Sequence, residues 1–291
     1  MKKAFKNALF GLVLAPILTV NTAISLPSSD IFLAKIENGK VSSIKNITER
    51  EGYDNQPNFI DDGLLYTAAF KQGEQWQTDA MYYDFNTQQT SNLTNTAVSE
   101  YSPTKVPHKN AFSVILQGLE GSQELWQYSF DKDQAATLLR KEVGKIGYHA
   151  WGQNNDLITF ILGEPHVLYF GNTDKQTGRE VAQNIGRTLA YNSSLDMYSF
   201  SQYQGKDLWV TLFDDKKETL KPLLKLPQGV DYYAWHGDDA LIYAQGNTLY
   251  FWQLGSTKKA TKWLDLSEHC TGKITRLKYQ TTSQYLAFVC E

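Results

Sequence analysis

Two kinds of short segment alternate six times along this chain, and the evenness of that alternation limits the fold more than any other feature. The first kind opens with an alternating strand, passes a polar turn and enters a second strand. It reads DIFLAKIENGKV from Asp30, AMYYDFNTQQT from Ala80 and ELWQYSFDKDQA from Glu124, then VLYFGNTDKQTG from Val167, DLWVTLFDDKKE from Asp207 and TLYFWQLGSTKK from Thr248. Aromatic and β-branched residues in the strands with Asn, Asp, Gly and Lys at the turns are the chemistry of hairpins. The second kind carries an anchor residue, a polar turn and a dense apolar strand. Its anchors are Phe59, Val106, Trp151, Tyr191, Trp235 and Tyr279, spaced 47, 45, 40, 44 and 44 residues apart. Two hairpins per repeat and a period in the low forties predict an all-β fold, a six-bladed β-propeller of four-stranded antiparallel blades.

The ends of the chain sharpen this expectation. The pattern begins with an outer hairpin at Asp30 and ends with an inner hairpin at Ile274. Neither is a blade alone, so the ring is expected to close by pairing the N-terminal outer strands with the C-terminal inner strands, which removes both open sheet edges. Two stacked three-blade sandwiches are the competing arrangement, and the even spacing disfavours them. Residues 26–291 then form a single propeller domain.

Residues 1–25 read differently. Lys2, Lys3 and Lys6 precede a largely apolar stretch at 8–20, and Ala23 and Ser25 supply the small residues of a cleavage site, so an exported chain cut after Ser25 is expected. The apolar stretch is too short for a spanning helix, and the mature chain has no other candidate. Cys270 and Cys290, the only cysteines, are expected to form a disulfide in an oxidising compartment; two buried thiols are the alternative. Removing residues 1–25 takes three lysines and no acid from 28 basic and 31 acidic residues, leaving a net charge of 25 − 31 = −6. That balance argues against a nucleic-acid binder working by phosphate neutralisation.

The segment Pro57-Asn58-Phe59-Ile60-Asp61-Asp62-Gly63, followed by Leu64-Leu65-Tyr66-Thr67, resembles the P-x-W-S-P-D-G repeat of TolB-type propellers. The strands beginning Asp30-Ile31-Phe32-Leu33 and Asp207-Leu208-Trp209-Val210 resemble the D-I-W/Y-V strands of the same family. The likeness spans roughly residues 30–290, with degenerate turns in the later repeats. It implies a periplasmic binding protein without the α/β domain that precedes the propeller in TolB itself, so contacts made through that domain do not carry over. The same repeat occurs in the propellers of prolyl-oligopeptidase-type enzymes, where a separate hydrolase domain does the chemistry.

Function in such scaffolds is carried by loops at the mouth of the central channel. The segments entering the six inner strands lie at 52–57, 99–103, 146–151, 184–189, 230–235 and 272–277. They would bring Tyr53, Asp54, Asn55, Glu100, Tyr101 and Tyr148 together with His149, Arg187, Asp231, Tyr232, Tyr233 and Arg276. Trp76, Glu120, Glu164 and His166 would add to the same face. Tyrosine, arginine and acidic groups in one concavity suit an envelope protein segment or a small polar ligand, bound by a monomer without a cofactor or metal. The alternative is a sugar- or lactone-directed hydrolase or lyase centred on Asp54, Glu100, His149 and Arg187, with Asp54 and Glu100 as a glycosidase-like pair. A calcium site would have to come from Asp54, Asn55, Glu100 and Asp231. No G-x-S-x-G elbow and no paired histidine spacing supports hydrolysis by other routes. Finally, Asn46-Ile47-Thr48 and Asn92-Leu93-Thr94 match the glycosylation pattern but are expected to be polar ends of outer strands.

Overall fold

The computed structural model describes residues 27–73, 75–131, 133–140 and 144–291. The proposed export segment, 1–25, lies outside the described residues. Six four-stranded antiparallel sheets account for all the strands among the described residues. The first complete blade is β3 (Asp54–Ile60), β4 (Gly63–Gln72), β5 (Gln75–Asp84) and β6 (Thr90–Asn92), innermost strand first. Next come β7 (Ser99–Lys105), β8 (Ala111–Gln117), β9 (Gln123–Ser129) and β10 (Thr137–Arg140), then β11 (Ile146–Trp151), β12 (Asp156–Ile161), β13 (Val167–Asn172) and β14 (Thr177–Gln183). The fourth is β15 (Ile185–Asn192), β16 (Met197–Gln204), β17 (Asp207–Asp214) and β18 (Thr219–Lys225), and the fifth is β19 (Tyr233–His236), β20 (Ala240–Gln245), β21 (Thr248–Gln253) and β22 (Thr261–Asp265). The protein is a six-bladed β-propeller.

The sixth blade is made from both ends of the chain. Its order is β2 (Lys40–Asn46), β1 (Asp30–Glu37), β24 (Tyr285–Cys290) and β23 (Ile274–Gln280). Asp30 faces Cys290 and Phe32 faces Phe288, whose rings stack 5.3 Å apart. The Cys270–Cys290 disulfide, with Cα atoms 5.7 Å apart, ties the end of β24 to the connection that enters β23.

The core lies between the blades, because each sheet has two apolar faces and each must be covered by the next sheet. Ile31, Leu33, Ala287 and Val289 of the closing blade pack on Leu64, Tyr66, Met81 and Tyr83 of the first. A polar buckle recurs inside two of these interfaces. Ser113 on β8 accepts the indole N–H of Trp151 from the next blade at 2.8 Å, and Ser199 on β16 accepts that of Trp235 at 3.0 Å and the hydroxyl of Tyr233 at 2.9 Å. The equivalent positions on the other second strands are Leu65, Ile158, Ile242 and Ala287, and the anchors opposite them, Val106, Tyr191, Tyr279 and Phe59, carry no indole N–H. The indole N–H of a tryptophan anchor is thus met by a hydroxyl, and anchors without an indole N–H have hydrocarbon at that position.

The two Asn-x-Thr sequences have a matching internal role. Asn46 donates to Asp30 at 3.0 Å while Thr48 Oγ1 donates to the same carboxylate at 3.0 Å. Asn92 and Thr94 repeat the arrangement on Asp79. Each Asn also accepts backbone N–H groups two and three residues on, closing a turn where the outer strand ends.

The disulfide closes a loop with a sequence separation of 20, which corresponds to about 3 kcal/mol of unfolded-state entropy. Cys290→Ser is therefore expected to lower the unfolding midpoint by several degrees and leave the strand signature in far-UV circular dichroism intact. Loss of that signature would mean the bridge is needed to build the closing blade and does more than brace it.

Candidate functional site

The innermost strands do not enter the channel cleanly. Five of the six carry a register irregularity near their beginning, between Asn55 and Asn58, Tyr101 and Thr104, Ile146 and Tyr148, Ile185 and Leu189, and Ile274 and Leu277. A bulge of this kind bends the strand and re-aims its side chains. Gln56 and Ser102 sit in two of these bulges with φ of 59° and 53°, left-handed values unusual for non-glycine residues. The strain is held by a direct link: the Gln56 side-chain oxygen accepts the backbone N–H of Ser102 at 2.7 Å and the hydroxyl of Thr67 at 2.8 Å. Most residues that the sequence analysis puts in entry loops therefore stand on the bulged starts of the strands themselves.

The channel has two parts on this side. A mouth of about 390 Å³ is walled by Tyr53, Tyr101, Tyr148 and Tyr232 with Arg187, Arg276 and Asn55, and its one acid, Glu291, is paired with Lys273. Below it is a waist of about 70 Å³, where His149, Tyr233 and Lys278 join Tyr148, Arg187 and Arg276. Arg276 is clasped by tyrosines: its guanidinium lies 5.0 Å from the Tyr148 ring centre and 4.4 Å from that of Tyr232, and Nη2 donates to the Tyr148 hydroxyl at 3.0 Å. This is a cation–π sandwich that fixes a charged side chain without neutralising it. Tyr233 turns its hydroxyl away to Ser199, and burial pushes its pKa well above the usual tyrosine range.

The three carboxylates named with this ring are not in the channel lining. Asp54 is wholly buried and bound by Arg50, whose Nη2 and Nε donate to Oδ1 at 2.7 and 3.2 Å. Glu100 is also wholly buried, with Thr96 donating to Oε1 at 2.5 Å and the Tyr128 hydroxyl donating to it at 3.4 Å. Asp231 is exposed in the connection before β19, where its backbone oxygen accepts from Thr188 at 3.0 Å. Asp54 and Glu100 occupy the same place in successive blades, one residue before Asn55 and Tyr101, and secure the incoming connections. They do not face each other across a substrate cleft, and among the described residues no cluster of His, Cys, Asp and Glu could hold a metal.

His149 Nε2 lies 2.7 Å from Ser113 Oγ, and Nδ1 is buried without a hydrogen-bond partner. Burial, with the nearby Lys278 charge adding to it, lowers the His149 pKa to about 3, so the ring is neutral at physiological pH. Lys278 itself is lowered to about 8 by burial and then by Arg276. The sequence reading did not name Lys278. Strand periodicity could have found it, because it lies two residues beyond Arg276 on the same face of β23.

No known family's sequence pattern matches the chain, and no curated protein sequence matches it. Solved structures do. A structure described as a TolB of Agrobacterium tumefaciens superposes with a TM-score of 0.70 at 9% identity, covering 90% of this chain and 98% of that one. A chain of the nidogen/laminin complex gives a TM-score of 0.65 at 9% identity, over 86% of this chain and 97% of that one. TolB of Acinetobacter baumannii gives 0.60 at 10% identity, over 90% of this chain and 64% of that one. At such identities the likeness concerns the fold, which is that of a TolB-like propeller.

Burial raises the pKa of Glu100 to about 7 and that of Asp54 to about 6, in the latter case despite Arg50. A carboxyl with a raised folded-state pKa keeps its proton in the folded chain at pH values where the unfolded chain has lost it. Its ionisation therefore costs stability, and stability falls as pH rises from about 4.5 towards 7. Glu100→Gln is expected to remove its share of that slope and to raise stability at pH 8 by roughly 1–3 kcal/mol. Denaturant unfolding at pH 5 and pH 8 checks this; an unchanged slope, or a less stable variant at pH 8, would contradict it.

Proposed function

We propose that this protein is a non-catalytic binding or scaffold protein of the cell envelope, which engages a protein segment or a small polar ligand at the channel mouth. The observation that carries the reading is the composition of that mouth: four tyrosines and two arginines around a concavity of about 390 Å³. Tyrosines give rigid contact area with a polar tip at low entropic cost, and arginine is among the residues most often found at interface hot spots. Arg276 is held in place by Tyr148 and Tyr232 before any ligand arrives, so binding loses little side-chain entropy. The buried positions of Asp54 and Glu100 weigh against the hydrolase reading built on that pair.

The likeness to the propeller fold of TolB, and to a propeller found in a complex of nidogen with laminin, supports protein recognition as the general role. In this reading residues 1–25 direct export to the periplasm and are removed near Ser25, and the mature domain acts as a monomer without a cofactor. The described residues contain no helix long and apolar enough to cross a membrane, and the net charge of the mature chain is unsuited to nucleic acid.

Site-specific photo-crosslinking in intact cells tests the reading. A benzophenone side chain at Tyr101 in the mouth is expected to give a discrete adduct in the envelope fraction, whereas one at Leu220 on the outer rim gives none. Adducts from Leu220 alone would move the contact surface to the rim, and adducts from neither position would remove the protein-segment reading.

A further inference from the structure

Three cations converge on the waist of the channel without a single acid among its lining residues. Arg187, Arg276 and Lys278 all border the cavity of about 70 Å³, and none of them is among the ion pairs formed by the described residues. The depression on the opposite side of the waist, of about 340 Å³, is bordered by Lys105, Lys278 and His149 and again by no carboxylate. This is the reverse of the chain as a whole, where acids outnumber bases. Elsewhere the protein pairs its cations readily, as Arg50 with Asp54 and Arg179 with Glu218.

Lysine stands immediately before the anchor on two of the six inner strands, as Lys278 on β23 and Lys105 on β7. The corresponding residues on the other four are Asn58, Ala150, Ala190 and Ala234. Each pairs with the second strand of its blade at the level where Lys278 pairs with Ala287. Three alanines leave open the space around the axis at this level. Burial and the Arg276 charge lower the Lys278 pKa to about 8, so the group is held charged at a cost to stability. A second observation is independent of the cations: the His149 ring is 7% exposed, borders the same cavity and has a buried Nδ1 with no partner. Unpaired buried polar groups and uncompensated charges are expensive in a folded protein, and an anionic group in this cavity would offset the cost of the charges that border it.

We infer that the waist is an oxyanion site, which takes the carboxylate or phosphate group of a ligand whose organic body lies in the tyrosine-lined mouth. The inference rests on the mouth-binding reading above and names the chemistry of what enters. A waist of about 70 Å³ has room for a few waters or one small anionic group. Arg276, pinned by its two tyrosines, presents its remaining donors in a fixed fork suited to an oxyanion, and the more exposed Arg187 closes from the mouth side. Lys278 supplies a point charge from below.

The test uses the mature chain in thermal unfolding, with sodium phosphate or trisodium citrate titrated against sodium chloride at matched ionic strength. Wild type is compared with Lys278→Met and, as a second variant at a more exposed position, Arg187→Gln. Phosphate and citrate stabilise most proteins through exclusion from the surface, an effect common to all three proteins that cancels in the comparison. The expected result is a saturable rise in melting temperature for wild type, with the apparent Kd weakened about tenfold or more in both variants. Without added oxyanion, Lys278→Met melts at or above the wild-type temperature, because a charge repulsion has been removed. A larger response to citrate identifies the group as carboxylate, and a larger response to phosphate identifies it as phosphoryl. Identical responses in wild type and both variants would overturn the oxyanion site. In that case an intact Tyr101 crosslink would leave the mouth reading standing, so the two failures are distinguishable.

Discussion

Everything about the channel depends on the pairing of β1 with β24. Strands from the two ends of the chain join there, and without that ladder the sixth sheet has only its inner hairpin and the ring has an open edge. The channel is a product of closure and belongs to no single blade. Arg276 and Lys278 stand on β23, in the closing blade, while Tyr148 and His149 stand on β11, in the blade across the axis. The hydrogen bond from Arg276 to Tyr148 spans 128 residues of sequence. Closure is reinforced by the stacked Phe32–Phe288 pair, by the disulfide and by Lys35, whose ammonium donates to the Ser283 backbone oxygen at 2.5 Å.

Once the ring is closed, a separation of charge follows from where each strand face points. Acids at the bulged starts of β3 and β7 are turned into the packing between blades, where Arg50 or hydroxyl groups receive them. Bases on β15 and β23 are turned into the channel. A protein with net negative charge thereby encloses a positive axis. Low-dielectric walls concentrate such a field at the mouth, which favours approach of anions down the channel. Tyrosines provide the compensation that carboxylates would otherwise give, because their ring faces attract Arg276 without quenching its charge.

The period of the repeats, the divided closing blade and the cysteine pair were legible in the sequence, because strand alternation, turn residues and compartment each act through local chemistry. The fate of individual side chains at the mouth was less legible. A bulge shifts the face of every residue beyond it, so whether Glu100 or Tyr101 shares the channel face with the residues after Thr104 depends on a register irregularity that no single-residue preference announces. Lys278 reads as an ordinary charged strand residue until it is placed two residues beyond Arg276 on the same face of β23. By contrast, the match between tryptophan anchors and the serines of the preceding blade could be read from the repeats once they are aligned. Trp151 with Ser113 and Trp235 with Ser199 form a donor–acceptor code between blades.

Native-state hydrogen exchange on β1 tests most directly the closure on which the channel rests. If β1 is an integral strand of the sixth blade, its ladder amides between Ile31 and Lys35 exchange with the same opening free energy as those of β24, and both follow global unfolding. If β1 amides exchange orders of magnitude faster than those of β24, the N-terminal strand is only loosely docked. The ring would then not be closed by it, and the convergence of Arg276 and Lys278 on Arg187 and His149 would lose its structural basis.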